Sequence, residues 1–167
     1  MDSEPFVHRR AASTDLDELL VLIRAFYELD GHDFVEEHVR LALSALLVDD
    51  AYGQVWITER DDPPRAIGYA VVTWSYSLES GGRDCILDEI YLQTRSNGLG
   101  TSLLRHALRH ATAAGARAVF LETESHNIQV RRFYERNGFA TDDSVWMSQE
   151  LGVLFGDGNL TTIRETL

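Results

Sequence analysis

Apolar side chains at Leu16, Leu19, Leu20, Ile23 and Tyr27 return every three to four positions, the spacing of one helix face, and the run breaks at Asp30-Gly31. Thr14, with Asp17 three residues on, supplies an N-cap signal for that helix. A second helix is expected over 36–47. Phe6 to Arg10 reads as an opening strand, and strands over 55–58 and 66–74 flank Asp61-Asp62-Pro63-Pro64, a turn by composition, which makes a hairpin. A strand over 85–92 follows, then a long amphipathic helix over 99–114 after a pair of glycines. Gly115 introduces a buried strand over 118–123, and a short helix over 130–137 ends at Gly138, whose lack of Cβ suits a left-handed cap. Strand-like residues at Val145-Trp146-Met147 close the order βααββ–βαβαβ. No repeat, linker or low-complexity tract divides the 167 residues, so one domain, 1–167, is expected.

The passage from strand to helix at Leu87 to Leu104 carries the most chemistry. Gly98 and Gly100 let backbone approach a ligand, and the first turn of the next helix leaves N–H groups without intrahelical partners, an arrangement that suits a phosphate. A nucleoside-triphosphate loop would need Lys and then Ser or Thr after its last glycine, but Thr101 and Ser102 follow Gly100. A dinucleotide fingerprint would need a third glycine where Leu103 stands, although Glu122 and Glu124 lie at a suitable distance for a ribose contact. A third pattern, Arg/Gln-x-x-Gly-x-Gly/Ala, is met by Arg95, Gly98 and Gly100.

That pattern resembles the pyrophosphate-binding motif of the Gcn5-related N-acetyltransferase (GNAT) superfamily. Downstream, Asn127 to Tyr134 followed by Gly138-Phe139 is similar to the second signature of that family, Asn-x-x-Ala-x-x-x-Tyr and then Gly-Phe. The likeness covers roughly residues 5–151. It implies an α/β fold, the acyl-CoA acyltransferase type, with a mixed central sheet covered by helices on both faces. It also implies that the strands at Ile90 and Leu121 splay apart around acetyl-CoA. Arg95 and the backbone of Ser96, Asn97, Gly98, Leu99, Gly100 and Thr101 would then hold the pyrophosphate. Ile90, Tyr91 and Leu92 would pair with the pantetheine amides as an added strand would, and Asn127 would touch the pantetheine arm. The turn between Tyr91 and Gly98 is shorter than is typical of the family.

Acetyl transfer to an amine needs a held thioester, an unprotonated amine and a proton for the departing thiolate. Tyr134 falls on the motif position where the family often has a tyrosine acid, and a phenol with an ordinary pKa of about 10 can donate while staying protonated at neutral pH. An alkylammonium must first lose a proton, usually to a carboxylate through water, and the candidates are Glu89, Asp88 and Glu122. Strand alternation places Asp88 and Glu89 on opposite faces, and Glu89 is the preferred base. The acidic pair before Ile90 loosely resembles that of diamine acetyltransferases. By the same likeness, Tyr27, Phe34, Trp74, Tyr76 and Glu79 are candidates for the acceptor pocket.

Charge narrows the partners. With 27 acidic residues against 15 basic ones, the formal net charge is −12, which repels nucleic acid and anionic membranes and favours a small cationic amine. Every basic residue among those 15 is arginine. Cys85 is the single cysteine, the six histidines lack metal-ligand spacing, and no apolar run is long enough for a membrane span, so no metal and a cytoplasmic location are expected. Protein N-terminal acetylation and a non-catalytic acyl-CoA sensor are the competing readings. Residues 152–167 lie beyond the resemblance, and the spacing of Leu154, Phe155, Leu160, Ile163 and Leu167 suggests a segment that docks on a surface and assists a homodimer.

Overall fold

A computed structural model describes residues 6–61, 63–94 and 98–149. The chain runs β1 (Phe6–Arg10), α1 (Leu16–Asp30), α2 (Glu36–Val48), β2 (Gly53–Asp61), β3 (Pro64–Ser77), β4 (Gly82–Leu92), α3 (Leu99–Ala113), β5 (Val119–Phe120) and α4 (Ile128–Arg136). Among the described residues, five strands form one sheet in the order β1-β2-β3-β4-β5, antiparallel throughout except for the parallel β4–β5 pair. This is the mixed sheet that the resemblance implies.

Alternation along the strands separates two cores. On one face α1 and α2 bury Leu19, Leu22, Ile23 and Leu43 against Val55, Ile57, Tyr69 and Val71. On the other, α3 and α4 bury Leu103, Leu104, Ala107 and Tyr134 against Trp56, Ala70, Val72 and Leu87. Each such aliphatic side chain contributes about 1.5–3 kcal/mol by leaving water, so losing either helix layer would be severe. α1 ends where expected, with Gly31 at φ 76 in the left-handed region and its N–H bonded to the Tyr27 carbonyl.

The start of α1 differs from expectation. Thr14 lies in a short 3-10 turn, Ser13–Asp15, and does not cap the helix. Asp15 organises the entry instead: Oδ2 accepts from the Ala12 N–H at 2.7 Å and from Arg9 at 2.7 Å, and Arg9 also donates to Glu59 on β2. The Arg9 guanidinium holds the Asp15 carboxyl below the usual range. Sequence spacing alone favoured Thr14 because a pairing with Arg9, across the β1–α1 link, is not a local signal.

Two strand expectations are corrected. The buried strand over 118–123 is reduced to Val119–Phe120, and Phe120 is 44% exposed. The stretch Val145-Trp146-Met147 is not a strand, and its residues are 84%, 65% and 91% exposed. Strand-favouring residues form strands only beside a partner that supplies N–H and C=O groups. Here β5 ends at Phe120, and the chain turns at Glu124 to Asn127, where the Asn127 N–H bonds to the Glu124 carbonyl.

Candidate active site

β4 carries a bulge at the point that matters. Val71 pairs with Glu89 and Val72 with Leu87, so Asp88 is an extra residue opposite β3. Leu87 and Ile90 consequently pack on the same α3 side despite their odd separation, while Glu89 turns to the α1 side. The β4–β5 pairing stops at Ile86 with Phe120, immediately before this bulge. Beyond it the edge of β4 has no strand partner among the described residues.

Glu89 is clamped by two phenols. Tyr27 on α1 donates to Oε1 at 2.9 Å, and Tyr69 on β3 donates to Oε2 at 2.7 Å. Burial pushes the Glu89 carboxyl above its ordinary pKa; the Tyr69 and Tyr27 hydrogen bonds pull it back, Asp88 raises it and His32 lowers it. Both phenols are pushed upward, first by burial and then by the Glu89 charge, so they remain donors. Around this group lie Phe34, with its ring 5.8 Å from that of Tyr27, and His32, at 6.1 Å from Tyr27 and 3.0 Å from the Asp30 carboxylate. Phe26 and Tyr91 stack behind them at 5.8 Å. Asp88 is exposed on the bulge, yet enough protein surrounds its carboxylate to raise its pKa as well.

The remaining candidates divide. Tyr134 lies on the opposite face of the sheet from Glu89, buried beside Phe133 and Phe139, where burial pushes its phenol up to about 12. It borders a groove of about 900 Å³ shared with Leu121, Glu122 and Thr123. Glu122 is exposed there and is not brought to Glu89. Trp74 sits on the α3 face, its indole N–H donating to the Asp50 carbonyl and its ring under Arg83. Tyr76 is 79% exposed, and Glu79 lies in the turn before β4. The structure therefore groups Tyr27 and Phe34 with Glu89 and separates Trp74, Tyr76 and Glu79 from it. The separation arises because nearness in sequence to β4 does not specify which face a β3 residue uses.

Tyr69 escaped the sequence reading although it left a signal. A tyrosine inside the apolar run from Ile67 to Val72 must find a partner for its hydroxyl once buried, and Glu89 is that partner. Asn127 caps α4, its side-chain oxygen accepting from the Val130 N–H at 3.2 Å. Arg95, Ser96 and Asn97 lie outside the described residues, as do residues 152–167. Among the described residues, no three metal-ligand side chains come together, and no helix is long and apolar enough to cross a membrane.

The groups present fit a diphosphate-bearing, amide-containing cofactor. Gly98 has φ +88 and open space where a Cβ would stand. The Ser102 N–H is the one that reaches back to the Gly98 carbonyl, which leaves the N–H groups of Leu99, Gly100 and Thr101 ahead of the helix ladder. A Cβ on Gly100 would stand in ordinary contact with the Phe133 ring at 3.4 Å, which places α4 close against the first turn of α3. The free edge of β4 at Ile90, Tyr91 and Leu92 supplies backbone groups in the spacing an added strand uses.

Known proteins resemble this chain in sequence and in fold. The model of the acetyltransferase (GNAT) family matches residues 19–139. An uncharacterized N-acetyltransferase of Bacillus subtilis (strain 168), YhfO, is 35% identical over 78 residues, 46% of this chain and 52% of YhfO, so the match spans about half of each. An integron cassette protein from the mobile metagenome of Cole Harbour Salt Marsh superposes with a TM-score of 0.76 at 26% identity, covering 87% of this chain and 90% of that one. An aminoglycoside N-acetyltransferase, AAC(6')-Iy, solved in complex with CoA, superposes at 0.72 with 19% identity over 89% and 97% of the two chains, a likeness of fold.

Proposed function

The chain belongs to the acetyltransferase (GNAT) family, and from that premise we propose that it moves the acetyl group of acetyl-CoA directly onto the primary amine of a small cationic acceptor. The observation that carries this reading is the half-buried carboxylate of Glu89, held between Tyr27 and Tyr69 at the bulge where β5 leaves β4. A carboxylate drawn out of water is costly unless it works or is paired, and both partners here are neutral phenols that orient it without neutralising it.

Acetyl-CoA, when bound, supplies the activated thioester. The first turn of α3 with Gly98 would hold its diphosphate, together with Arg95, Ser96 and Asn97, and the edge of β4 would align its amides. Asn127 would contact the same arm. Glu89 accepts the ammonium proton through water, and its raised pKa makes it a better base than an ordinary carboxylate. Tyr27 and Phe34 border the amine, where an aromatic face and a carboxylate together suit an alkylammonium. From the other face of β4, Tyr134 stays protonated and donates to the departing sulfur. Asp88 and the acidic surface add attraction for a cation, with Glu122 as a more distant carboxylate.

The thiol of Cys85, buried and pushed up to about 11, fits a reducing cytoplasm. Exposed Val145, Trp146 and Met147 favour pairing of two copies over a monomer. The test of function is release of CoA from acetyl-CoA across a panel of alkylamines, polyamines and amino sugars, with Glu89→Gln beside the wild type. Turnover with a cationic amine that falls by about a hundredfold in the variant supports the reading. Acetyl-CoA binding with no turnover would make the protein a sensor, and activity confined to peptide N-termini would move it to protein acetylation.

A further inference from the structure

On the solvent side of α3, away from Glu89, a cavity of about 360 Å³ begins at Gly98 and Thr101 and runs along the helix to Arg105 and Arg109, walled by His8 of β1 and by His106. Arg105 and Arg109 are one turn apart on the same helix face, a like-charged arrangement that is unfavourable on an isolated helix. In a chain of formal net charge −12, no carboxylate of the described residues pairs with either.

Neighbouring groups hold the cavity in shape without adding charge. Burial, then the charges of His110, His8 and Arg109, push His106 down to about 4, and burial lowers His8. Both rings are therefore neutral near pH 7, and the positive charge belongs to the arginines. Arg109 Nη2 lies 3.2 Å from His106 Nδ1, where a neutral ring can accept a hydrogen bond from the guanidinium. The two nitrogens of His8 bridge Thr58 on β2 at 3.0 Å and Ser102 on α3 at 2.8 Å, tying the wall to the sheet. Helical side chains lean toward the N-terminus, so both guanidinium groups are carried back toward the turn at Gly98.

We propose that Arg105 and Arg109 bind the 3′-phosphomonoester of the coenzyme, a second phosphate site beside the one that takes the diphosphate. This rests on the acetyl-CoA reading above and deepens it: the two arginines make the protein distinguish CoA from its dephosphorylated form. Coenzyme A carries its diphosphate and its 3′-phosphate on one ribose, and the cavity is continuous from the N–H groups of α3 to the arginines, so both can be engaged together. A dianion between two guanidinium groups also removes their mutual repulsion.

Calorimetric titration of the whole protein with CoA and with dephospho-CoA tests this without relying on turnover. The wild type should bind CoA more tightly by about tenfold or more, the range expected for charge-assisted hydrogen bonds. The gap should narrow as salt is raised. Arg105→Ala with Arg109→Ala should bring CoA to the affinity of dephospho-CoA while leaving the latter unchanged, and Arg105→Lys with Arg109→Lys should restore part of the gap. Equal binding of the two ligands by the wild type, or an undiminished gap in the double alanine variant, overturns the site but leaves the acetyl-CoA reading intact. Failure of both ligands to bind removes that reading and this site together. Saturation of the cavity by inorganic phosphate with no effect on CoA binding would assign it to a free anion and overturn the proposal.

Discussion

Replacing Tyr69 with Phe should move the pH dependence of the reaction in one direction. Tyr69 is fully buried on β3 and its ring packs in the α1-side core, so Phe keeps the packing and deletes one hydroxyl. That hydroxyl donates to Glu89 Oε2 at 2.7 Å and holds the carboxylate pKa down against the upward push of burial. A hydrogen bond to a charged group contributes about 1.5–3 kcal/mol, so losing it should raise the Glu89 carboxyl further. The acidic limb of kcat/KM for the amine should move to higher pH, with the alkaline plateau kept. Proton loss from the amine itself is common to both proteins and cancels in the comparison.

Stability gives a second readout with its own sign. Glu89 is raised in the folded protein, so it costs stability as pH climbs above the unfolded carboxyl value, and the variant should lose more. The two proteins should differ at neutral pH and converge in acid, where the group is protonated in both states. Superimposable pH–rate profiles, or a shift toward acid, would refute the assignment of Glu89 as the base held by these phenols.

Other expectations follow from the same geometry. Tyr134→Phe should lower kcat by about a hundredfold with acetyl-CoA affinity unchanged, and an unchanged kcat would leave Tyr134 a packing residue. Acetyl-CoA at a hundredfold excess over Kd should add about 2.7 kcal/mol, raising the melting temperature by about 5–10 °C; Gly98→Val, strained at φ +88, should abolish the shift, and a wild type that does not respond would count against the cofactor. A chain ending at Leu151 should be smaller by half or more than the full chain in light scattering, while loss of only the deleted segment's own mass would exclude residues 152–167 from a dimer contact.

Much of the architecture was legible because local rules set it. The apolar spacing from Leu16 to Tyr27 and the stop at Gly31 describe α1 as found, and Gly98, just before Leu99, marks the start of α3. The family was legible from the Gly98/Gly100 turn and the Asn127–Tyr134 signature. What alternation could not give was the bulge at Asp88, which decides that Glu89 faces α1 while Leu87 and Ile90 share the other side. The clamp by Tyr69 and the cavity that sets His8 beside Arg105 and Arg109 join residues far apart in sequence, and the Asp15–Arg9 pairing crosses the link from β1 to α1, so they became visible only with the elements in place. The displacement of Trp74, Tyr76 and Glu79 from the Glu89 neighbourhood has the same origin: sequence proximity to β4 fixes neither face nor end of the sheet.

The measurement that bears most directly on the account is a single-turnover experiment with mass spectrometry. The protein is loaded with acetyl-CoA, mixed with an alkylamine that gives turnover, and the acceptor, free CoA and intact protein are weighed over time. Direct transfer assisted by Glu89 predicts one acetylated amine for each CoA released, an unmodified protein at every time point, and the same stoichiometry at a lower rate in Glu89→Gln. Release of CoA without acetylated amine, or an acetylated protein that forms and then decays at the rate of product appearance, would contradict it.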